Sequence, residues 1–435
     1  MLKKILKNRI AQNAAWIIGC KLGQCIVGLV ISMLTARYFG PSNFGLINYA
    51  ASIVTFITPI AILGFNATLV QELVRSPGDE NEIMGTAIIA SLLSDILCIA
   101  GIAVFVCAVQ PNEPKTLIIC VLYSTMLFFQ SLELLQYWFQ ARLLSKYTAI
   151  CTLVAYVLAS VYQIILMAKG MSIEYFAVFK ALEYAVVSAG LIGIYVRKYR
   201  GRLRFSLKRF RKMFHNSRIY MVSMLLVMLY VQTDRIMIKM MLNDEQLGYY
   251  SAAINAAMIT EFVYLAIIDS ARPAILSSRL HDRSAFENGM RRMYACVIGI
   301  SVCQGIVYTV FGKWIMLLLY GKQYLSGVST LRILTWYSLF ANIGSARMVW
   351  IQAENQSSVI WKVNLCGAVL NILLNAILIP IWGINGAACA SFFTQVFTNY
   401  MICHIIVSLR DSVHLMYQAL NPKYLMHEIK SLLSR

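Results

Sequence analysis

The stretch QTDRIMIKMMLNDEQLGYYSAA, residues 232–253, decides the fold class of this chain. Its first part ends an apolar segment with polar side chains at helical spacing, because Gln232, Arg235 and Lys239 share one helix face at i, i+3 and i+7. The short polar segment Asn243–Gln246 then forms a turn, and the final LGYYSAA begins the next apolar segment. The stretch therefore predicts a helix–loop–helix unit that joins two membrane spans.

A weaker copy of this pattern lies 203 positions earlier in the chain. There the loop Phe39–Asn43 follows an apolar segment, and Phe44–Ala51, FGLINYAA, begins the next one. Gly45 and Gly248 occupy the same point in the two helix–loop–helix units. A repeat at about half the chain length is typical of membrane transporters that are built from two related halves.

Composition also indicates a membrane protein. The 435 residues are 59% hydrophobic and 13% charged, whereas soluble domains contain roughly 25% charged residues. The net charge of +19 would suggest nucleic acid in a soluble protein, but here the basic residues flank apolar segments. This distribution indicates a charged membrane face and no nucleic-acid partner. The 11 cysteines lie inside apolar segments without metal-ligand spacing, so we expect no disulfide, metal site or cofactor.

Apolar segments of about 20 residues or more, long enough to cross a bilayer, recur along the chain. The run behind the basic N-terminus is too long for the core of a signal peptide, so we interpret it as an uncleaved first span. The predicted fold is all-α and integral to the membrane, with twelve transmembrane helices in two six-helix lobes. The predicted spans are 11–36, 44–67, 83–109, 116–138, 147–168, 173–196, 217–241, 247–271, 293–312, 327–350, 357–380 and 384–408.

The distribution of basic residues predicts the orientation. Of the 38 Lys and Arg residues, 25 lie in segments on the N-terminal side of the membrane and 6 in loops on the other side. Because positive charge is retained in the cytoplasm, we expect both termini to be cytoplasmic. The predicted domains are a basic N-terminus 1–10, an N-lobe 11–196, a basic linker 197–216, a C-lobe 217–408 and an amphipathic tail 409–435.

Two of these segments have alternative interpretations. Ten basic residues lie between Arg197 and Arg218, and we interpret this segment as an anchor on anionic lipid, with a dedicated protein partner as the alternative. In the tail, apolar and polar residues alternate, which is typical of an amphipathic helix on the membrane surface. A disordered tail is the alternative there.

Polar side chains within the spans are the candidate binding residues, because hydrocarbon does not accommodate them unless they line a cavity or pack between helices. For the neutral residues, helix packing is the alternative to binding. For Lys21 and Arg272, deep in their spans, we expect a water-filled cavity. Lys180 and Glu183, at i and i+3, are expected to neutralise each other. The candidate substrate-binding residues are Lys21, Gln24, Asn48, Arg235, Asp269, Arg272 and Asn342.

The sequence argues against an enzyme. The chain contains no Gly-x-x-x-x-Gly-Lys-Ser/Thr phosphate loop, so it does not hydrolyse ATP in the usual way. Every loop on the predicted outer side is short, which leaves little room for the acids and bases of a membrane glycosyltransferase. We therefore expect a transporter and not an enzyme.

Four stretches of the chain form a recognisable pattern. They are Asp234–Arg235 with Leu247–Ala253, Ala36–Gly45, Tyr320–Tyr324 with Leu331–Leu334, and Pro380–Ala388. Together they resemble the polysaccharide flippases of the multidrug/oligosaccharidyl-lipid/polysaccharide exporter superfamily, and the likeness covers nearly the whole chain in order. The resemblance implies two six-helix lobes around a central cavity that opens alternately to each side. It also implies a substrate, oligosaccharide on an undecaprenyl diphosphate carrier, that crosses the bacterial inner membrane for O-antigen or capsule synthesis.

The charged residues agree with an anionic carrier. Lys21, Arg235 and Arg272 would offset the diphosphate, arginine through paired hydrogen bonds and lysine as a point charge. Besides this substrate and membrane lipids, a polysaccharide polymerase and a chain-length regulator are the candidate partners. The alternative is an ion-coupled exporter of drugs or small molecules from the same superfamily, and a membrane glycosyl-transfer enzyme is the third hypothesis. An ion-coupled exporter would use the intramembrane acids Asp95, Glu133, Glu261 and Asp269.

Overall fold

The computed structural model describes residues 9–199, 203–356 and 358–420, with side chains from Gly23 onward except at 25–26 and 198–199. Helices and short turns make up these ranges. They fall into two compact units, Met1–Ile236 (unit 1) and Met237–Arg435 (unit 2).

Ten helices belong to unit 1, and the last of them continues into unit 2. Short turns of one to a few residues separate several of them, so that the predicted fourth span 116–138 consists of three consecutive short helices. The helices are α1 (Arg9–Ala61), α2 (Leu69–Arg75), α3 (Glu80–Val109), α4 (Pro114–Ser124), α5 (Met126–Glu133), α6 (Gln136–Ala141), α7 (Ser145–Ala168), α8 (Ile173–Ala177), α9 (Phe179–Ile194) and α10 (Leu207–Met241).

Seven further helices belong to unit 2. A single 3-10 turn, Met258–Thr260, separates the first two of them. The helices are α11 (Asp244–Ala257), α12 (Glu261–His281), α13 (Arg283–Tyr320), α14 (Val328–Ala353), α15 (Ser358–Val396), α16 (Ile402–Ile405) and α17 (Arg410–Ala419).

Membrane-spanning segments account for most of both units. Within the described residues, nine segments are long and apolar enough to cross a membrane, which confirms an all-α membrane protein. The number of spans, twelve, stays a prediction. The nine segments are Val27–Ala61, Glu80–Val109, Pro114–Ala141, Ser145–Ala168, Ile173–Arg197, Leu207–Met241, Asp244–His281, Arg283–Tyr320 and Ser358–Ile405.

Two glycines break the longest helices at predicted loops. Gly40 has φ 70° and ψ 176° within α1, between the first two predicted spans. Gly383 has φ 57° and ψ −137° within α15, between the last two. Both conformations lie in the left-handed half of φ/ψ space, which glycine adopts without the steric cost of a Cβ. Each long helix is therefore interrupted at a single glycine, without a longer loop.

Two helices begin earlier than the predicted spans. α13 begins at Arg283, where the side chain of Asp282 accepts a hydrogen bond from the backbone N–H of Ser284 at 2.8 Å and caps the helix. Its first turns hold an Arg283–Glu287 ion pair at 3.1 Å, which supports a water-exposed helix. α10 begins at Leu207, inside the predicted linker. Hydropathy marks the apolar part of a helix and not its polar ends.

The described part of the basic linker packs against the start of α3. The backbone N–H of Arg204 donates to the Asn81 carbonyl at 3.1 Å, and that of Ser206 donates to Thr86 Oγ1 at 3.1 Å. A Cβ at Gly85 would lie 2.4 Å from the Arg204 carbonyl oxygen, so only glycine fits there. Arg209 forms ion pairs with Asp79 and Glu82. Unit 1 itself therefore orders this segment, whatever the exposed basic side chains bind.

The described part of the predicted tail packs against unit 2. α17 buries Val413, Leu415 and Met416 in the core of that unit. Arg347 of α14, whose exposed fraction is 2%, donates from Nη1 to the Asn399 carbonyl at 2.7 Å and from Nε to Ser412 Oγ at 3.4 Å. The remainder of the tail, residues 421–435, lies outside the described residues.

Candidate functional site

The break between α11 and α12 is organised by one glutamine. Gln304 of α13 donates from Nε2 to the Ala257 carbonyl at 2.8 Å, and its Oε1 accepts hydrogen bonds from Thr260 Oγ1 and the Tyr264 hydroxyl, both at 2.7 Å. The hydroxyl of Tyr308 donates to the carbonyl of the preceding residue, Ala256, at 3.3 Å. Buried backbone carbonyls require such partners, so these side chains stabilise an interrupted helix at membrane depth.

A polar pocket of about 50 Å³ lies beside this break. The volume suffices for a few water molecules or the edge of a sugar ring, since a single water requires about 10–15 Å³ on this scale. A carboxylate, an amide and several hydroxyl groups face the same space. The polar residues of the lining are Thr260, Glu261, Tyr264, Tyr337, Ser338, Asn342 and Ser345.

Among the candidate residues of unit 2, Asn342 lies in this pocket. Its Nδ2 donates to Ser301 Oγ at a long 3.4 Å. Asp269 and Arg272, one turn apart on α12, form an ion pair at 3.2 Å, with exposed side-chain fractions of 61% and 37%. Neither lines the pocket. The structure thus brings Glu261 and Asn342 together and pairs Arg272 with Asp269 within their own helix.

The candidate residues on α1 mostly contact their own unit. Asn48 donates to the Phe44 carbonyl of the preceding turn at 2.8 Å, which uses its amide locally. Gln24 is half-buried, and the side chain of Lys21 lies outside the described residues. Further along α1, a Cβ at Gly28 would lie 2.3 Å from the Tyr156 hydroxyl. This close contact between α1 and α7 favours helix packing for that part of α1.

Arg235 and Lys239 were predicted to share a face of α10. Arg235 donates from Nη1 to Gln232 Oε1 at 3.0 Å and is half-buried. Lys239 is buried and pairs with Asp244, the first residue of α11, at 2.9 Å. The lysine therefore fixes the loop after α10, while Arg235 stays beside the polar Gln232.

A second polar cluster lies in unit 1. The ammonium group of Lys180 on α9 contacts Glu183 Oε2 at 2.7 Å, as predicted, and lies 5.8 Å from the ring centroid of Tyr156. Glu133 of α5 is within electrostatic range of both charged groups. Sequence reasoning identified the Lys180–Glu183 pair but missed Glu133 as its neighbour. It also missed Gln304, because long-range contacts to a lone glutamine leave no local signal.

Comparisons with known proteins agree with this architecture. The family described as polysaccharide biosynthesis protein matches residues 10–279. The chain belongs to this family. It is 23% identical over 404 residues to the succinoglycan biosynthesis transport protein ExoT of Rhizobium meliloti, covering 84% of this chain and 79% of ExoT. It is 22% identical over 397 residues to the probable flippase AglR of Haloferax volcanii, covering 89% of this chain and 81% of AglR.

Solved structures show the same fold at low sequence identity. The lipid II flippase MurJ in an inward closed conformation superposes with a TM-score of 0.71 at 13% identity, covering 93% of this chain and 90% of that one. An inward-facing multidrug resistance transporter of the MATE family, in the MOP superfamily, superposes with a TM-score of 0.60 at 13% identity, covering 93% and 95%. Together with the family match, these findings show a member of the polysaccharide biosynthesis protein family with the all-α membrane fold of these transporters.

Proposed function

We propose that this flippase moves undecaprenyl-diphosphate-linked oligosaccharide repeat units across the bacterial inner membrane, for O-antigen, capsule or exopolysaccharide synthesis. The observation that carries the proposal is the polar pocket beside the α11–α12 break, within the described membrane helices of unit 2. Its carboxylate, amide and hydroxyl groups are the donors and acceptors that bind sugar hydroxyls. ExoT is named for succinoglycan transport and MurJ for lipid II, both of them glycan-related, which supports a glycan substrate here.

The proposal includes the predicted architecture of twelve spans in two six-helix lobes with both termini cytoplasmic. Three observations support this count beyond the nine apolar segments. Gly40 and Gly383 each interrupt a long helix at a predicted loop, and α14 coincides with the tenth predicted span. In such a transporter the substrate site faces each side of the membrane in turn.

Cations at membrane depth support the lipid-linked part of the substrate. Arg235 is half-buried within the described part of α10, where it lies beside the neutral Gln232. A guanidinium group binds phosphate oxygens through paired, charge-assisted hydrogen bonds. Lys21 would act as a second charge. A polysaccharide polymerase and a chain-length regulator are the proposed protein partners, since they would receive and extend the flipped unit.

Complementation of flippase-null strains with defined repeat units tests this function. We expect the chain to restore polysaccharide export for at least one repeat unit, and Asn342→Ala to lower export at an unchanged protein level. Thr335→Ala is the matched control, because Thr335 lies on the same helix, is also buried and donates to the Leu331 carbonyl of its own helix at 2.9 Å. Drug resistance without restored export of any glycan would favour a drug exporter instead.

A further inference from the structure

Asp95 lies near the middle of α3 and of the predicted span 83–109. Its exposed fraction is 0%, and neither carboxylate oxygen has a hydrogen-bond partner among the described residues. An ionised carboxylate without a partner is among the most costly groups to bury, and within a bilayer such residues are conserved for function by default. The position therefore requires an explanation beyond packing.

Two hydroxyl groups beside Asp95 are also unpartnered. Ser91 precedes it by one helical turn on the same face of α3, and Ser131 of α5 lies close enough to interact with its carboxyl group. Both serines are fully buried, and neither Oγ has a hydrogen-bond partner among the described residues. Most hydroxyls in these membrane helices donate to a carbonyl one turn back, as Ser52 and Ser160 do. Three unsatisfied side chains thus meet at one point between α3 and α5.

No counter-charge compensates this carboxyl group in the described residues. Among the described residues, Cys98 on the same helix is the titratable group that interacts electrostatically with Asp95, and Ser131 is the interacting side chain on the packed helices. Glu133 of α5 acts on Lys180 and Glu183 instead. The other charged residues on the described parts of the helices packed against α3 do not act on Asp95, namely Arg37, Glu72, Arg75 and Lys115.

We propose that Asp95, Ser91 and Ser131 form an exchangeable proton-binding site inside unit 1. The neutral carboxyl group donates its proton to Ser131 Oγ, so that the acid is satisfied without a counter-charge. When the proton leaves to water, rotation of the two hydroxyls lets Ser91 and Ser131 each donate to the carboxylate. Both protonation states thereby acquire hydrogen bonds, which distinguishes this site from an acid that is permanently neutral.

Exchange requires water to reach a fully buried group. Proton binding is therefore linked to a conformation of unit 1 in which α3 and α5 admit water, and the protonation state biases that conformation. In the proposed flippase, this linkage means that one proton would bind and leave in each conformational cycle. That last step rests on the proposed function, whereas the site itself does not.

Infrared difference spectroscopy of the purified full-length protein in lipid nanodiscs, titrated with pH, tests the site without any glycan. We expect a protonated carboxyl band that titrates, and that disappears in Asp95→Asn. Ser131→Ala should raise the titration midpoint by about one pH unit, a tenfold change in proton affinity, because the ionised form loses a donor. Ser94→Ala is the matched control, since that hydroxyl donates to the Ile60 carbonyl at 2.9 Å, and its midpoint should not change.

Two results would overturn the proposal. A band that is lost in Asp95→Asn but does not titrate in the wild-type protein means that Asp95 is permanently neutral. A band that sodium ions displace at constant pH means that the site holds a metal cation and not a proton. Ser131→Ala serves as the test if Asp95→Asn does not fold. Failure of complementation, in contrast, would contradict the proposed function and leave this titration unaffected.

Discussion

The Asp269–Arg272 pair shows how one contact changes the role of a charged residue. We expect Arg272→Ala to lower the amount of protein in the membrane, because Asp269 then loses the partner 3.2 Å away. The double change Asp269→Asn with Arg272→Gln should restore both protein level and polysaccharide export. Immunoblots of membranes and export assays measure the two effects. If the double variant restores the level but not export, Arg272 contacts the substrate.

Gln304 is expected to be a main source of stability around the pocket. Gln304→Leu leaves the Ala257 carbonyl and two hydroxyl groups without this partner, and each unsatisfied buried group costs about 1–3 kcal/mol. Thermal unfolding of the purified protein in detergent should show the loss. Gln352→Leu, at an exposed glutamine of α14, is the control and should change stability by less than about 0.5 kcal/mol. Equal losses in the two variants would contradict this role of Gln304.

Individual residues also show what sequence alone can predict. Asn342 was a candidate because it belongs to a polar stripe on one helix face, and it lines the pocket. Asn48 gave the same signal but bonds to its own helix. Periodicity identifies a polar face, but it does not tell whether a side chain bonds locally or across a cavity. That distinction depends on rotamers and on distant residues such as Gln304.

At the scale of elements, the linker contact with α3 depends on the absence of a side chain at Gly85. Gly85→Ala would force a Cβ to within 2.4 Å of the Arg204 carbonyl oxygen. We expect the linker to detach, so that trypsin cleaves at Arg204 or Lys208 several-fold faster in limited proteolysis. Gly101→Ala on the same helix is the matched control, because nothing lies within 4 Å of its added Cβ. An unchanged cleavage rate in Gly85→Ala would mean that the linker is held elsewhere.

The helix ends were harder to predict than the helices. Hydropathy identified the apolar parts of α10 and α13, because the bilayer imposes length and composition on them. Their polar first turns, stabilised by an Asp282 cap in α13 and by linker contacts before α10, follow ordinary rules for helices in water. Because hydropathy reports only the part of a helix that lies in the bilayer, the charged first turns, which lie in water, were predicted as loops.

At the scale of the whole molecule, reporter fusions test the topology. Fusions after residues 76, 143, 206 and 285 should report a cytoplasmic location, and fusions after 41, 112, 170, 244, 323 and 382 a periplasmic one. The physical reason is the retention of basic segments in the cytoplasm. Activities of a cytoplasmic and a periplasmic reporter, normalised to fusion level, provide the measurement. A periplasmic result within the basic linker would contradict the twelve-span arrangement.

The fold class was predictable because composition alone separates a membrane chain from a soluble one. The described residues form two compact units, each of which has its own apolar core. The two related six-helix lobes that the repeat around Gly45 and Gly248 indicates stay a prediction. The proton site at Asp95 was visible only as an intramembrane acid. Ser131, the side chain that interacts with it, lies on a different helix, α5. No sequence pattern specifies that α3 and α5 are in contact.

The contacts of Arg347 have a consequence for biosynthesis. Its hydrogen-bond partners Asn399, Cys403 and Ser412 all follow it by more than fifty residues. A ribosome that adds about 5–20 residues per second supplies them several seconds after Arg347. Until then the guanidinium group needs water or a chaperone in place of these partners, so unit 2 cannot complete its core before α17 has been synthesised. Premature termination before α17 would therefore yield a protein for quality-control proteases and not a shorter transporter.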